Sequence, residues 1–268
     1  MLLTLAPILT FWTAALGFHL LGWNSPDNME HPRNLVTVWD TVVRMLQFDA
    51  FHILSTLPME WGWFIPPEQV YGPDGIRWRY IVGGIFLMDT VQYWAHWLQH
   101  KVPFLYKHVH STHHAMRYSW SLGTLYNSYA EVLLLTGPLM GVIFMWVARF
   151  TFVEFQIVSS LAIFWAVMDH TSAFDQVEWL GRKDFHRIHH SVYTDCNFQQ
   201  PFMTFWDRWM GTDYDSVMRR KHPVTEPVDP NDLPAGAFYD YRAPGCVCLL
   251  LALVAHWMLE GTQRVDTP

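Results

Sequence analysis

Three groups of histidines stand at spacings that suit metal coordination. DTVQYWAHWLQH (89–100) places His96 and His100 four residues apart. Two later stretches, KHVHSTHHAM (107–116) and FHRIHH (185–190), repeat an HxxHH pattern at His110, His113, His114 and at His186, His189, His190. Residues three and four apart on a helix share a face, so the spacing alone makes His186, His189 and His190 ligands of one ion. A single HxxxH is equally well two structural histidines, and one HxxHH can be a solvated, pH-sensitive face; the repetition makes coordination the stronger reading. Asp169-His170 lies between the second and third groups and adds His170 as a ligand, with Asp169 beside it. Nine imidazoles exceed what one ion accepts, which implies two metal ions. Neutral imidazole suits iron, zinc, copper and nickel alike, so ligand type leaves the metal open. Asp89 and Tyr93 fall on the His96 face at i−7 and i−3, where Asp89 can orient a ring from behind. His108 fits the clusters less well, and His19, His31, His52, His222 and His256 are isolated and read as ordinary.

The elements that position these rings belong to an apolar chain. Of the 268 residues, 51% are hydrophobic and only 15% charged, against about 25% charged in ordinary soluble domains. The expected class is all-α, an integral membrane helical bundle carrying a cytosol-facing, histidine-rich di-metal cap. Residues 2–23 are almost continuously apolar, about the length a helix needs to cross a bilayer, and have neither a basic n-region nor a cleavage signature, which favours a retained membrane helix. Residues 37–57 are amphipathic and suit an interfacial or half-buried helix. The Pro- and Gly-punctuated, Trp-rich stretch 60–79 reads as a loop. Further apolar helices are expected at 80–98, about 129–149 and 152–169, the last two forming a hairpin that returns His170 to the face carrying residues 100–128. Ionisable groups inside such helices, Asp89 and His96 among them, are functional candidates. The run 245–259 is short for a span. MRRKHP (217–222) argues for a cytosolic position. The expected division is an N-terminal anchor and interfacial region (1–79), a catalytic domain (80–215) and a C-terminal tail with a short apolar segment (216–268).

Other function classes fall away. A net charge of −7 without a basic run gives nucleic acid no footprint. Three cysteines, Cys196, Cys246 and Cys248, form no CxxC pair and suggest no disulfide framework. A hydrolytic zinc protein is disfavoured by ligand number, since catalytic zinc takes three protein ligands and keeps one position open. A metal-free membrane scaffold leaves the histidine repetition unexplained. Two nitrogen-bound ions beside a membrane interior suit oxygen activation on a lipid-like substrate.

These motifs resemble the fatty acid hydroxylase and sterol desaturase superfamily of membrane di-iron oxygenases, with its HxxxH, HxxHH, HxxHH pattern. Within it the sequence is most similar to the sphingoid base C4-hydroxylases. The resemblance rests on DTVQYWAHWLQH, FLYKHVHSTHH, GTLYNSYAE (123–131), Asp169-His170, DFHRIHH and, most specifically, NFQQPFMTFWDRWMGT (197–212). It implies that His96, His100, His110, His113, His114, His170, His186, His189 and His190 ligate two iron ions. It also implies that Asn197, Gln200, Trp206 and Asp207 support the site, and that no catalytic residue acts beyond the metal set. The implied activity is an O2-dependent monooxygenase hydroxylating C4 of sphinganine or dihydroceramide in the endoplasmic reticulum membrane. Its active site would face the cytosol, and its electrons would come from cytochrome b5 and an NAD(P)H reductase. The chain carries no GxGxxG or His-Pro-Gly-Gly haem motif, consistent with an external donor. Basic residues Lys107, Arg117, Arg182, Lys183 and Arg187 suit an acidic donor or lipid headgroups. Met168 and Tyr129-Ala130-Glu131-Val132 depart from the branch pattern, and keep open a sterol C4-methyl oxidase or C5-desaturase-like activity, or an oxygenase of a specialised lipid-like metabolite.

Overall fold

The computed structural model describes residues 2–22, 24, 29–132, 138–171, 185–198 and 201–221. Among them every regular element is helical. The main helices are α1 (Leu2–Leu20), α2 (Val38–Glu60), α3 (Pro67–Tyr71), α4 (Trp78–Lys101), α5 (Phe152–Asp169), α6 (Phe185–Ser191), α7 (Phe205–Met210) and α8 (Tyr214–Lys221). Gln200, Arg182, Lys183 and the apolar run 245–259 lie outside the described residues.

Two helices, α1 and α5, are long and apolar enough to cross a membrane. Their outward faces carry exposed Leu9, Leu16, Leu161 and Phe164, which lipid rather than water would cover. Residues 37–57 fall in the half-buried helix α2, which stands antiparallel against α1. Its amphipathic pattern is used to pair charges with α1, through Trp12 Nε1 donating to Asp49 Oδ2 (2.7 Å) and Thr4 N donating to Glu60 Oε2 (3.0 Å). Thr37 caps α2, its hydroxyl accepting from Asp40 N while the Asp40 side chain accepts from Thr37 N, so two otherwise unpaired donors are satisfied reciprocally. Thr151 and Glu154 build the same capping box on α5.

In the apolar stretch 129–149 the described elements are an α-helical turn at Tyr129–Glu131, a short α-helix at Pro138–Gly141 and a π-helical segment at Val142–Val147; residues 133–137 lie outside the described residues. The π segment closes at Arg149, in the left-handed region (φ 59°), and the chain turns into α5.

That turn is tied to the start of α4. Arg77 gives its backbone N–H (2.9 Å), Nε (2.9 Å) and Nη2 (2.6 Å) to the Glu154 carboxylate, and Nη2 also reaches Arg149 O (2.8 Å). Helices α4 and α5 therefore start together and run side by side. Gly84 permits the approach, because a Cβ there would stand 2.8 Å from Val158 Cγ2 and 2.9 Å from Phe150 Cε1. Tyr80, Phe144, Phe150, Phe152 and Val158 fill the core at this end. The far ends of the same two helices carry His96, His100 and His170, so pinning the near ends fixes where those rings meet.

Candidate metal centre

All nine candidate histidines come together, in two groups. His96, His100, His110, His114 and His189 form one; His113, His170, His186 and His190 form the other, with the ring nitrogens of each group within 4.8 Å of one another. His108 is exposed, its ring against Phe104, and joins neither.

The division corrects the expectation that His186, His189 and His190 serve one ion. On α6 the rings of His186 and His190, one turn apart, put their Nε2 atoms 2.8 Å from each other, while His189 turns to the opposite group. The earlier motif divides the other way: His110 and His114 share the five-histidine group, at 3.2 Å between Nε2 atoms, and His113 enters the four-histidine group, 3.0 Å from His190 Nε2. In both motifs the i, i+4 pair stays together and the i+3 ring crosses over. Local winding assists in the first, where a π-helical turn at Tyr106–His110 gives way to a 3-10 turn at His113–Ala115.

Backbone carbonyls set the tautomers. Nδ1 of His96 faces Phe198 O (2.6 Å), that of His170 faces Ala166 O (2.8 Å), that of His189 faces Cys196 O (2.7 Å), and that of His190 faces Met116 O (2.9 Å). A carbonyl only accepts, so each of these Nδ1 atoms carries the proton and each Nε2 is left with a bare lone pair. The Nε2 atoms of the groups converge: His170 and His186 meet at 3.1 Å, and His100 and His114 also at 3.1 Å. His96 Nε2 and His189 Nε2 are buried with no partner at all. Convergent lone pairs repel one another unless a cation lies between them. Donors about 2.1 Å from an ion and at right angles around it stand about 3.0 Å apart, which is the spacing found. Burial holds the His110 imidazole down to about 3 and that of His113 to about 4, so both are neutral, the form that ligates. Burial and the charges of their neighbours likewise push His186, His189 and His190 well below the usual imidazole range.

The segment 197–212 acts largely through its backbone. Asp207, fully buried, accepts from Phe198 N (2.9 Å) and from Thr212 Oγ1 (2.6 Å). The Phe198 carbonyl then receives His96, so Asp207 holds the peptide that orients a ring. Asn197 sits in the left-handed region (φ 57°), donates from Nδ2 to Phe185 O (2.8 Å) and accepts from Tyr214 N (2.8 Å), joining α6 to α8. Tyr93 bonds Thr212 Oγ1 (3.1 Å) and stacks on Trp206, whose Nε1 donates to Thr90 Oγ1 (3.1 Å). Asp89 accepts from Phe202 N (2.9 Å), anchoring this segment to α4. Asp169 is the last residue of α5 and is partly buried beside His170.

Glu131 escaped the spacing argument. It is buried, and its Oε1 lies 2.8 Å from His110 Nδ1 and 3.1 Å from Gln99 Nε2. Its sequence signal was its position as the single acid of the stretch 129–149. Glu131→Ala is expected to weaken metal retention about 10- to 100-fold, the usual cost of losing a partner behind a ligating imidazole. Glu131→Gln, which keeps an acceptor, should recover most of it; chelator competition on the purified protein measures both.

Comparison with known proteins places this geometry. Residues 81–212 match the family described as "Fatty acid hydroxylase". Sphinganine C4-monooxygenase 2 of Arabidopsis thaliana is 34% identical over 142 residues, covering 50% of this chain and 54% of that relative. Very-long-chain aldehyde decarbonylase GL1-9 of Oryza sativa subsp. indica is 29% identical over 81% of this chain and 90% of its own length. Cholesterol 25-hydroxylase of Rattus norvegicus is 35% identical over 48% of this chain and 44% of its own length. The chain thus spans about half the length of the sphinganine and cholesterol relatives it matches. No solved structure matches it. Both histidine groups fall inside the segment that matches the fatty acid hydroxylase family.

Proposed function

We propose that the protein is a membrane di-iron monooxygenase that hydroxylates a lipid chain, with C4 of sphinganine or dihydroceramide as the position attacked. The observation that carries the metal reading is the convergence of bare Nε2 lone pairs into two groups, with five ligands in one and four in the other. Iron bound there would supply O2 activation and oxidation of an unactivated C–H bond, chemistry that belongs to the cofactor. The chain's own residues hold and aim the rings: Phe198, Cys196, Met116 and Ala166 fix them through their carbonyls, and Glu131 and Asp207 brace two of them. Burial of eight of the nine rings keeps bulk water away; His100 is partly exposed.

Inserting one oxygen atom from O2 takes up two electrons and two protons and releases water, so a reductase chain is required. Cytochrome b5 with its NAD(P)H reductase fits that role, and exposed Lys107 and Arg117 offer it a basic approach. In this reading the site lies on the cytosolic face of the endoplasmic reticulum membrane, within a catalytic domain spanning 80–215, and Asn197, Asp89, Tyr93 and Asp169 support it. The sphinganine relatives favour the C4 position. The rice aldehyde decarbonylase, matched over most of both chains, and the rat cholesterol hydroxylase favour a second reading in which the same centre oxidises a different lipid.

Expression in a cell lacking its own sphingoid hydroxylase, with lipid mass spectrometry after feeding dihydrosphingosine, separates the two. A trihydroxy base is the expected product. Its absence alongside a new oxidised sterol or aldehyde-derived product would replace the substrate while keeping the chemistry.

A further inference from the structure

The helices α1 and α5 do not close fully on each other. Between them lies an open groove of about 400 Å³, walled by Leu3 and Ala6 of α1 and by Ile157 and Phe164 of α5. Its size falls within the range of small-molecule sites, about 300 to 1,000 Å³. Two polar side chains one turn apart on α5, Gln156 and Ser160, line the same groove. Gln156 is only 1% exposed, and neither its amide nitrogen nor its amide oxygen has a hydrogen-bond partner; the Ser160 hydroxyl has none either. By contrast, the hydroxyl of Thr10, across the groove, is satisfied by Ala6 O (2.8 Å).

Unpaired buried polar groups cost about 1–3 kcal/mol each, and hydrocarbon surroundings offer no water in place of a partner. Packing α1 on α5 alone would be served better by leucine and alanine at these positions. The amide presents donors and an acceptor, and the hydroxyl one of each, so their complement is a head group that both donates and accepts, as in a fatty amide or long-chain alcohol. The remaining walls suit an alkyl chain. The groove is bounded by the two helices apolar enough to span a membrane, beside exposed Leu161, so its occupant comes from the lipid phase.

We infer that the α1–α5 groove is a binding site for a single-chain amphiphile whose amide or hydroxyl head bonds Gln156 and Ser160. Ser160 and Gln156 precede His170 by 10 and 14 residues, which places them about 15 and 21 Å from it along the helix. A lipid held here by its head keeps its head-proximal carbons far from the histidines. The site is therefore separate from one where C4 of a sphingoid base would react, and it requires no metal.

Photolabelling of the full-length protein in phosphatidylcholine nanodiscs tests this, using a hexadecanamide that carries a mid-chain diazirine and a terminal alkyne. Adducts are expected on residues 3–10 and 153–164. Gln156→Leu should lower them at least tenfold and Ser160→Ala about threefold, and excess hexadecanamide should compete where hexadecane does not. The thermal midpoint of Gln156→Leu should equal or exceed that of the parent, because an unpaired amide has been removed, which separates lost binding from lost folding. Equal labelling of Gln156→Leu, equal competition by hexadecane, or adducts elsewhere would overturn the inference. So would disulfide-linked dimers formed by Leu161→Cys in the absence of reductant, since they would show a second copy of the chain covering the groove.

Discussion

Replacing His190 with alanine is expected to abolish turnover while leaving the helical frame intact. His190 sits at the centre of the four-histidine group, with its Nε2 3.0 Å from that of His113 and 2.8 Å from that of His186, and its Nδ1 is fixed by Met116 O. Losing it deprives the group of a ring that contacts two others. Activity should fall by more than about 100-fold, beyond what loss of a supporting partner costs. Alanine at the exposed His108, which belongs to neither group, should change neither activity nor metal content. Lipid product formation in cells, normalised to protein, reads both.

The largest effect on stability is expected at Glu154. Its carboxylate is fully buried and accepts from Arg77 N, Nε and Nη2 and from Thr151 N. Glu154→Ala removes the α5 capping box and leaves the Arg77 guanidinium, only 24% exposed, without its counter-charge. Breaking a buried pair costs about 3–5 kcal/mol; the partial exposure of Arg77 puts this one near the lower figure, a fall of roughly 10 °C in thermal midpoint. The double replacement Arg77→Met, Glu154→Leu should recover at least half of that loss, because an apolar pair carries no desolvation cost. A double variant no more stable than Glu154→Ala would show that the capping box, rather than the ion pair, carries the effect.

Arg77 also shows what the sequence could not convey. Two arginines before a long apolar helix have no evident place in a membrane bundle until Glu154, 77 residues away, is seen to meet one of them. Helices dominated by continuous apolar runs were legible nearly to the residue: α5 begins and ends where composition placed it, and α1 stops three residues short of the expected end. In the equally apolar stretch 129–149, the π winding at 142–147 has no signature in hydrophobic pattern.

The site divides similarly. Spacing identified eight of the nine rings and the expected hairpin added His170, because ligand side chains announce themselves by type. It could not assign them to groups, since that depends on how the 3.6-residue period of α6 and the irregular turn at 106–115 face each other. The partners of the Nδ1 atoms were invisible for a simpler reason: Met116, Ala166, Cys196 and Phe198 contribute carbonyls, which every residue has. The motif NFQQPFMTFWDRWMGT could be recognised before its purpose, and the structure supplies a purpose in the bond from Phe198 N to Asp207 that holds the carbonyl against His96.

In the proposed reading the two groups are separate iron sites built from different parts of the same motifs. Metal analysis of purified protein, as parent, His190→Ala, His100→Ala and the double variant, tests it most directly. About two iron ions per chain are expected in the parent, about one in each single variant and none in the double. A parent that holds one ion, or zinc in place of iron, would contradict that reading, as would a His190→Ala variant with the full complement.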